Sequence, residues 1–275
     1  MGRKPGFGPI LVPRLPSRRR AGIAPTAHEP SMNLLTKYKA FESAVETQLP
    51  ANTLAVIRLD GKAFHTFTKN FARPFDAHFA ATMDAVGAHL CDVIDGAMFA
   101  YVQSDEISVV FSDLANPGTQ MWAGGRVQKM VSIAAANATA MYMAVSPTAL
   151  FPIFDARVHT LDSLDQAREY VVWRRADATK NAITMAANTL RSHKALMGLP
   201  TAARRELLRG TEHEHLPAEF LNGRLIVKEY REEPVIYTDR RTNLQHSIVV
   251  TRGRWVARTA TDDTLDLAVT PASDV

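Results

Sequence analysis

Residues 101–111 have the sequence Tyr-Val-Gln-Ser-Asp-Glu-Ile-Ser-Val-Val-Phe, in which two runs of β-forming residues meet at a short acidic turn. The β-branched and aromatic residues on both sides of the Ser-Asp pair predict two antiparallel strands joined by a tight hairpin. A second strand-like run, residues 54–61, ends on Asp60, which is followed by Gly61. The sequence therefore predicts a sheet that carries carboxylates at the ends of two strands.

Carboxylates in these positions indicate either a metal site or two ordinary turns. Mg²⁺ takes oxygen ligands, commonly one or two carboxylates together with waters and substrate phosphates, so Asp60, Asp105 and the Gly61 carbonyl would suffice. Two such ions about 3.5–4 Å apart would stabilise the attacking and leaving oxygens of a phosphoryl transfer. On spacing alone the turn interpretation is favoured, because Asp-Gly and Ser-Asp are common turn sequences.

The spacing of apolar residues predicts the remaining elements of the fold. Residues 37–48, 74–93 and 122–145 predict helices, and residues 150–161 predict a strand that returns to the sheet. The order βαββαβ indicates an α+β fold, a ferredoxin-like antiparallel sheet with helices on one face. The following region, from Ser163 to Thr211, predicts further helices, and residues 224–228 form the last predicted strand, so we expect a mainly helical C-terminal portion.

Longer motifs resemble the histidine-tRNA guanylyltransferase family in order and spacing. The first-half motifs are residues 58–69 (Arg-Leu-Asp-Gly-Lys-Ala-Phe-His-Thr-Phe-Thr-Lys), 73–76 (Arg-Pro-Phe-Asp) and 100–106 (Ala-Tyr-Val-Gln-Ser-Asp-Glu). The second-half motifs are residues 154–158, 173–181 and 192–194, with the later Gly198. The resemblance covers roughly residues 32–228. It implies a polymerase-like palm that uses two Mg²⁺ ions to add nucleotides to the 5′ end of tRNA.

One motif departs from the eukaryotic members of that family. They have His-x-Asn-Asn after Trp-Arg-x-x-Asp, whereas this chain has Thr179-Lys180-Asn181-Ala182. The chain is more similar to the bacterial and archaeal-type branch, which implies template-dependent repair of 5′-truncated tRNA. Guanosine addition to histidine tRNA is the other outcome that the resemblance allows. In either case the implied route is 5′-adenylylation by ATP followed by attack of the 3′ hydroxyl of GTP or another NTP.

The resemblance also implies roles for individual residues. Asp60 and Asp105 are the catalytic residues and, with Gly61, the metal ligands. The expected nucleotide-binding residues are Lys62, Ala63, Phe64, His65, Lys69, Arg73 and Ser104, and the amides from Lys62 to His65 are expected to cradle a triphosphate. The expected contacts to the triphosphate or the tRNA 5′ end are Arg157, Arg174, Asp177, Asn181, His193 and Lys194.

Several neighbouring residues have predictions of their own. On residues alone, Arg174 and Asp177 are equally well interpreted as an exposed intrahelical pair. Glu106 is expected on the opposite sheet face from Asp105, as a supporting group. Trp173 is predicted to be a core residue. The sequence Glu-His-Glu-His at residues 212–215 is predicted to be a solvated loop rather than a metal site.

Composition excludes some classes of protein. The 275 residues are 46% hydrophobic, which is typical of a globular protein. A single cysteine, Cys91, excludes an intramolecular disulfide and predicts a buried thiol in a reducing compartment. The net charge of +4 is only mildly basic, so it is compatible with a nucleic-acid partner without deciding it. No apolar segment is long enough for a signal peptide core or a membrane span, and we expect a cytoplasmic protein.

We predict four segments: a disordered basic extension (1–31), a catalytic palm (32–161), a mainly helical portion that binds tRNA and triphosphate (162–256) and a flexible tail (257–275). We also hypothesise that Met32 is the true start. The resemblance implies a homotetramer. The alternatives are a palm-type nucleotide cyclase or cyclic-oligonucleotide synthetase, against which the basic helical second half argues, and a non-catalytic RNA-binding protein, against which the intact Asp60, Gly61 and Asp105 argue.

Overall fold

The computed structural model describes residues 33–114, 118, 120–148 and 150–269. The strands are β1 (Leu54–Gly61), β2 (Ala97–Gln103), β3 (Glu106–Ser112), β4 (Phe154–Leu161), β5 (Arg224–Thr238) and β6 (Gln245–Thr259). The helices are α1 (Leu34–Ala44), α2 (Phe64–Phe67), α3 (Ala77–Val93), α4 (Val127–Val145), α5 (Leu164–Leu190), α6 (His193–Leu196), α7 (Thr201–Glu206), α8 (Ala218–Asn222) and α9 (Asp262–Val269), with a 3₁₀ turn at Trp122–Gly125 before α4.

The chain divides into two units, Met1–Val45 and Glu46–Val275. The described part of the first unit is α1 with its N-cap Asn33, whose side-chain oxygen accepts a hydrogen bond from the Leu35 amide at 3.0 Å. The rings of Tyr38 and Phe41 meet edge to face on this helix, with their centroids 6.0 Å apart. The predicted disordered extension, residues 1–31, and the hypothesised start at Met32 lie outside the described residues.

One antiparallel sheet organises the second unit, with strand order β4-β1-β3-β2-β5-β6. The predicted βαββαβ order runs from β1 to β4 through α3 and α4, so the α+β palm is confirmed. The helix α3 begins where the Asp76 side chain accepts a hydrogen bond from the Phe79 amide at 2.8 Å, which satisfies one of the unpaired amides at a helix start.

Helices cover both faces of this sheet. Helices α3 and α4 pack on one face through residues such as Met83 and Met130, against Ile57 and Val109 of the strands. The N-terminal part of α5, together with α9, packs on the other face, where Val171 and Leu265 join Val56, Phe99 and Leu225 in a second core cluster. The palm helices lie on one face, as predicted, and the helices that follow the palm cover the opposite one.

The C-terminal portion contains a long β-hairpin that sequence reasoning missed. Strands β5 and β6 pair along their whole length, from Arg224↔Thr259 to Thr238↔Gln245. Only the first residues of β5, Arg224–Ile226, are seen to pair with β2 within the described chain. The remaining hairpin extends from the sheet as a two-stranded arm, so the portion that we expected to be mainly helical contributes two of the six strands.

The predicted flexible tail, residues 257–275, is structured in its described part. Residues 257–259 complete β6, and α9 follows with Leu265 fully buried against the sheet. The tail therefore contributes to the core, because α9 supplies an apolar side chain that its Thr- and Asp-rich composition obscured. Within the described ranges, no helix combines the length and apolar character that a membrane span requires.

Candidate active site

Asp60 and Asp105 lie at the same end of the sheet. Ser104 and Asp105 form a two-residue turn between β2 and β3, since Gln103 and Glu106 are register partners, and Ser104 has a left-handed φ of 47°. Asp60, near the end of β1, is the register partner of Glu106 in β3. Burial raises the pKa of Asp105, and the negative charges of Asp60 and Glu106 raise this pKa further. The turn therefore concentrates negative charge at one point.

This carboxylate pair fits a small hard cation. Within the described residues, no group of three or more His, Cys, Asp or Glu side chains forms a metal centre. Two carboxylates and one carbonyl are nevertheless a sufficient protein contribution for Mg²⁺, which fills its other positions with waters and phosphates. A divalent cation would also relieve the repulsion between Asp60 and Asp105 that contributes to the raised pKa of Asp105.

The Phe64 ring packs against the backbone at the end of β1 because Gly61 has no side chain. A Cβ atom at Gly61 would lie 2.3 Å from Cδ2 of the Phe64 ring, so the ring occupies the space that any other residue would need. Ala63 has a left-handed φ of 57°, and the helical turn α2 begins directly after it. The Lys62 amide donates to the Ile153 carbonyl at 2.8 Å. This amide anchors the loop, and the expected triphosphate cradle is reduced to the amides from Ala63 to His65.

A cavity of about 370 Å³ opens beside this loop and the Ser104-Asp105 turn. Seven predicted site residues line it: Gly61, Ala63, Phe64, His65, Arg73, Ser104 and Asp105. Lining residues that were not predicted as site residues are Thr68, Phe71, Ala72, Pro74, Asp76, Phe79 and Met185. The volume lies within the range of small-molecule sites, and the mainly apolar lining with a few polar groups is typical of them.

An aromatic cluster supports the apolar part of the cavity, and its members Phe64 and Phe79 belong to the lining. Phe64 contacts Phe67, with 4.9 Å between ring centroids, and Phe154 at 5.1 Å. Phe79 and Tyr142 pack against the same ring at 6.1 and 6.4 Å. These contacts hold α2 against α3 and β4, so the loop after the first aspartate is a rigid wall of the cavity.

Asp76 is a polar lining residue whose importance sequence reasoning missed. One of its carboxylate oxygens accepts from the Phe79 amide at the start of α3, and the other accepts from the Ala72 amide at 3.0 Å. The Phe79 bond is the main cause that lowers the pKa of Asp76. The Arg-Pro-Phe-Asp motif at residues 73–76 could have predicted this role, because an aspartate directly before a helical pattern predicts an N-cap.

The comparisons with known proteins agree with this geometry. A family model described as tRNAHis guanylyltransferase matches residues 35–162. A bacterial tRNA(His) guanylyltransferase-like protein, solved in complex with ATP, is 30% identical to this chain with a TM-score of 0.70. The match covers 82% of this chain and 92% of that one. This chain belongs to the tRNA(His) guanylyltransferase family.

Other relatives in the family are equally distant in sequence. The bacterial guanylyltransferase-like protein in complex with GTP is 29% identical with a TM-score of 0.68, over 85% of this chain and 97% of that chain. A probable tRNA(His) guanylyltransferase of Mus musculus is 27% identical over 68% of each chain. The tRNA(His) guanylyltransferase of Schizosaccharomyces pombe is 29% identical over 69% of this chain and 72% of its own.

Within this guanylyltransferase fold, Arg174 has a different position from the one we expected. Its Nε donates to Glu106 at 2.7 Å, and one terminal nitrogen donates to Glu106 at 2.6 Å and to Asp177 at 2.9 Å. Arg174 is only 7% exposed, so it is neither an exposed intrahelical pair nor a free contact for triphosphate. Glu106 lies on the sheet face that α5 covers and joins α5 to the sheet there through Arg174.

Asp177 and Asn181 lie close to the cavity. The Asn181 amide donates to the Asp177 carboxylate at 3.3 Å. Asn181 also lines a smaller cavity of about 50 Å³, which shares Asp76, Phe79, Ser104 and Met185 with the larger one. These two residues of the second-half motif are therefore brought next to the Ser104-Asp105 turn, one helical turn from each other.

The other predicted site residues lie away from the cavity lining. Lys62 and Lys69 are exposed near the loop, and Arg157 on β4 is exposed and donates to Asp155 at 3.1 Å. His193 and Lys194 are exposed on α6, which is held to α5 by Leu196. Their proposed contacts with RNA or triphosphate stay predictions.

Two further predictions have opposite outcomes. Trp173 is 55% exposed, so the prediction that it is a core residue is wrong. At this turn of α5 the buried position belongs to Arg174, whose guanidinium lies 4.4 Å from the centre of the Trp173 ring. The loop at residues 212–215 is solvated as predicted, with exposed Glu212, Glu214 and His215.

Proposed function

We propose that this protein is a Mg²⁺-dependent 3′-to-5′ nucleotidyltransferase that adds nucleotides to the 5′ end of tRNA. The observation that carries the proposal is the position of Asp105 in the wall of a nucleotide-sized cavity, with the charge of Asp60 acting on it. Membership of the tRNA(His) guanylyltransferase family supports the reaction class. Its relatives solved with ATP and with GTP support nucleoside triphosphates as substrates.

The reaction consists of two nucleotidyl transfers. The 5′-monophosphate of the RNA attacks the α-phosphate of ATP, which joins AMP to the RNA and releases pyrophosphate. The 3′ hydroxyl of an incoming NTP then attacks the RNA 5′-phosphate, loses its proton and displaces AMP. The new 5′ nucleotide keeps its own triphosphate.

The chain supplies positioning and charge for these steps. Asp60, Asp105 and the Gly61 carbonyl would hold Mg²⁺, two ions by resemblance, which when bound neutralises phosphate charge and stabilises the reacting oxygens. The amides from Ala63 to His65 orient phosphates, and the Arg73 side chain adds positive charge at the rim, where it also donates to the Thr68 carbonyl at 3.0 Å. The aromatic cluster beneath Phe64 excludes water from one side of the site.

We favour template-dependent repair of 5′-truncated tRNA over the addition of one guanosine to histidine tRNA. The sequence Thr179-Lys180 after Asp177 supports this choice, since it departs from the eukaryotic motif. The similarity to bacterial guanylyltransferase-like proteins supports it as well.

The test uses a 3′-labelled tRNA that lacks its first nucleotide, with Mg²⁺, ATP and the four NTPs. We expect lengthening by the nucleotide that matches the opposing strand, loss of lengthening with Asp105→Ala or with EDTA, and full activity with Asp95→Ala, an exposed aspartate beyond α3. Lengthening without a template match would favour guanosine addition. No lengthening, with RNA binding retained, would favour the non-catalytic RNA-binding alternative, and cyclic products formed without RNA would favour the cyclase.

A homotetramer is part of the proposal. The β5–β6 arm exposes apolar side chains that a second copy would bury, with Ile236 70% and Val249 65% exposed. Light scattering after size exclusion tests this, and a monomer at micromolar concentration would contradict it. We also propose a cytoplasmic location, which the buried free thiol of Cys91 supports and which fractionation of native cells tests.

A further inference from the structure

Trp173 presents an exposed aromatic surface that is held in a fixed orientation. The residue is 55% exposed, whereas Trp122 is 7% exposed. The Arg174 guanidinium lies 4.4 Å from the centre of its ring, and the Arg58 guanidinium lies 5.9 Å away. The Tyr170 ring meets the indole edge to face, with centroids 5.7 Å apart. These neighbours fix the indole, so a planar ligand would bind it with little loss of side-chain freedom.

Positive charge lies next to this indole and close to the metal site. Arg58 of β1 is the register partner of Arg157 of β4, and Asp60 is the register partner of Asp155. Residues two apart in a strand point to the same face, at a separation of about 6.6 Å. The Arg58–Arg157 pair therefore lies next to the Asp60–Asp155 pair on one face of the sheet.

The charge of Arg58 is only partly compensated. Its Nε is buried and has no hydrogen-bond partner within the described chain. The nearest carboxylate is Glu106, at 4.0 Å, and both Glu106 oxygens already accept from Arg174. The ion pair of Arg157 with Asp155 is solvent-exposed on both sides, and such pairs contribute little. Arg157 is thus available to an anionic ligand, whereas Arg58, whose side chain is 18% exposed, contributes its positive charge from behind it.

We propose that Trp173 is a stacking platform for a base at the acceptor end of the RNA substrate, and that Arg157 contacts a neighbouring phosphate with the positive charge of Arg58 beside it. This inference rests on the proposed function, and it adds the place where the RNA end binds. An exposed aromatic ring flanked by guanidinium groups is the combination that binds unstacked RNA bases together with their backbone. The platform lies beside Asp60, so a base stacked there keeps its own end of the RNA near the reacting phosphate.

The first experiment compares Trp173→Ala, Trp173→Phe and Val172→Ala, a neighbouring residue of α5 that is 47% exposed and has no ring. The dissociation constant for a tRNA lacking its first nucleotide is measured at fixed salt, together with that for ATP and the thermal midpoint. We expect Trp173→Ala to weaken RNA binding roughly 5- to 150-fold with ATP binding unchanged. The RNA dissociation constants of Trp173→Phe and Val172→Ala should stay within about twofold of wild type. Trp173→Phe keeps an aromatic ring at the platform, and Val172→Ala changes the helix surface beside it without removing a ring.

A second measurement does not depend on the alanine variant folding. The chain has three tryptophans, so RNA that stacks on Trp173 should quench part of the fluorescence of the wild type. That part should be absent from Trp173→Phe. Equal quenching in the two proteins, or RNA binding by a folded Trp173→Ala that equals wild type, would overturn the inference.

Salt dependence tests the phosphate contacts. Arg157→Ala should lower the slope of log affinity against log salt by about 0.7–0.9, the contribution of one phosphate. An unchanged slope would remove Arg157 from the platform. These binding measurements need no catalysis, so they separate the two proposals. Trp173-dependent binding without lengthening would contradict only the function, whereas lengthening with binding independent of Trp173 would contradict only the platform.

Discussion

Arg174 and Glu106 are joined by two hydrogen bonds of 2.7 and 2.6 Å that connect α5 to the first residue of β3. Glu106 directly follows Asp105, so this pair fixes the strand from which the Ser104-Asp105 turn projects. Burial raises the pKa of Glu106, and the Arg174 guanidinium acts against that shift. The pair is thus a structural support of the active site rather than a ligand contact.

Arg174→Leu should destabilise the protein by about 3–5 kcal/mol, because the buried Glu106 carboxylate loses both of its Arg174 hydrogen bonds and keeps only the charge of Arg58, 4.0 Å away. Urea denaturation measures the free energy of unfolding, and nucleotide addition should fall with it as the Asp105 turn loosens. The matched control is Arg175→Leu, the next residue of α5, whose carboxylate partner Asp262 is solvent-exposed. Equal destabilisation by the two substitutions would contradict the role given to the Glu106 pair.

Gly61→Ala should destabilise the protein by roughly 1–3 kcal/mol and abolish addition. Its Cβ would lie 2.3 Å from the Phe64 ring, which is packed among other aromatic rings and cannot move aside cheaply. Gly253→Ala is the control, since the Cβ there would meet at 2.7 Å the flexible end of the Lys228 side chain. We expect a small change for Gly253→Ala and partial recovery of stability for Gly61→Ala combined with Phe64→Leu.

Asp105→Asn should raise the thermal midpoint of the metal-free protein while it abolishes nucleotide addition. The pKa of Asp105 is raised by burial and by the charges of Asp60 and Glu106, so its ionised form is a cost to the folded state. The comparison is Asp113→Asn at the other end of β3, where the carboxylate accepts from the Asn52 and Thr53 amides. That substitution should lower the midpoint, and a lower midpoint for Asp105→Asn as well would show that burial and repulsion of the Asp105 charge do not destabilise the folded state.

The palm and the Ser104-Asp105 turn were predicted well from the sequence, because both depend on local signals. Residues 101–111 contain two runs rich in β-branched and aromatic residues that break at the polar Ser104-Asp105 pair, which is the pattern of a hairpin. The β5–β6 arm was missed because its strands beyond residue 228 have mostly exposed side chains on both faces, so no alternation of buried and exposed residues marks them. Trp173 was predicted to be buried and Arg174 to be exposed, and the structure shows the opposite. Burial of an arginine requires a partner, here Glu106, which is distant in sequence and so gives no local signal.

Cys91 should be unreactive in the folded protein. Its thiol is buried on α3 and burial raises its pKa, so the reactive thiolate is nearly absent at neutral pH. We expect no reaction with an aromatic disulfide reagent under native conditions and one thiol per chain in denaturant. A variant Ala81→Cys, at an exposed position of the same helix, should react rapidly in the folded state with one thiol and leave Cys91 protected. Fast native labelling of the wild-type chain would show that α3 separates from the sheet far more readily than this packing allows.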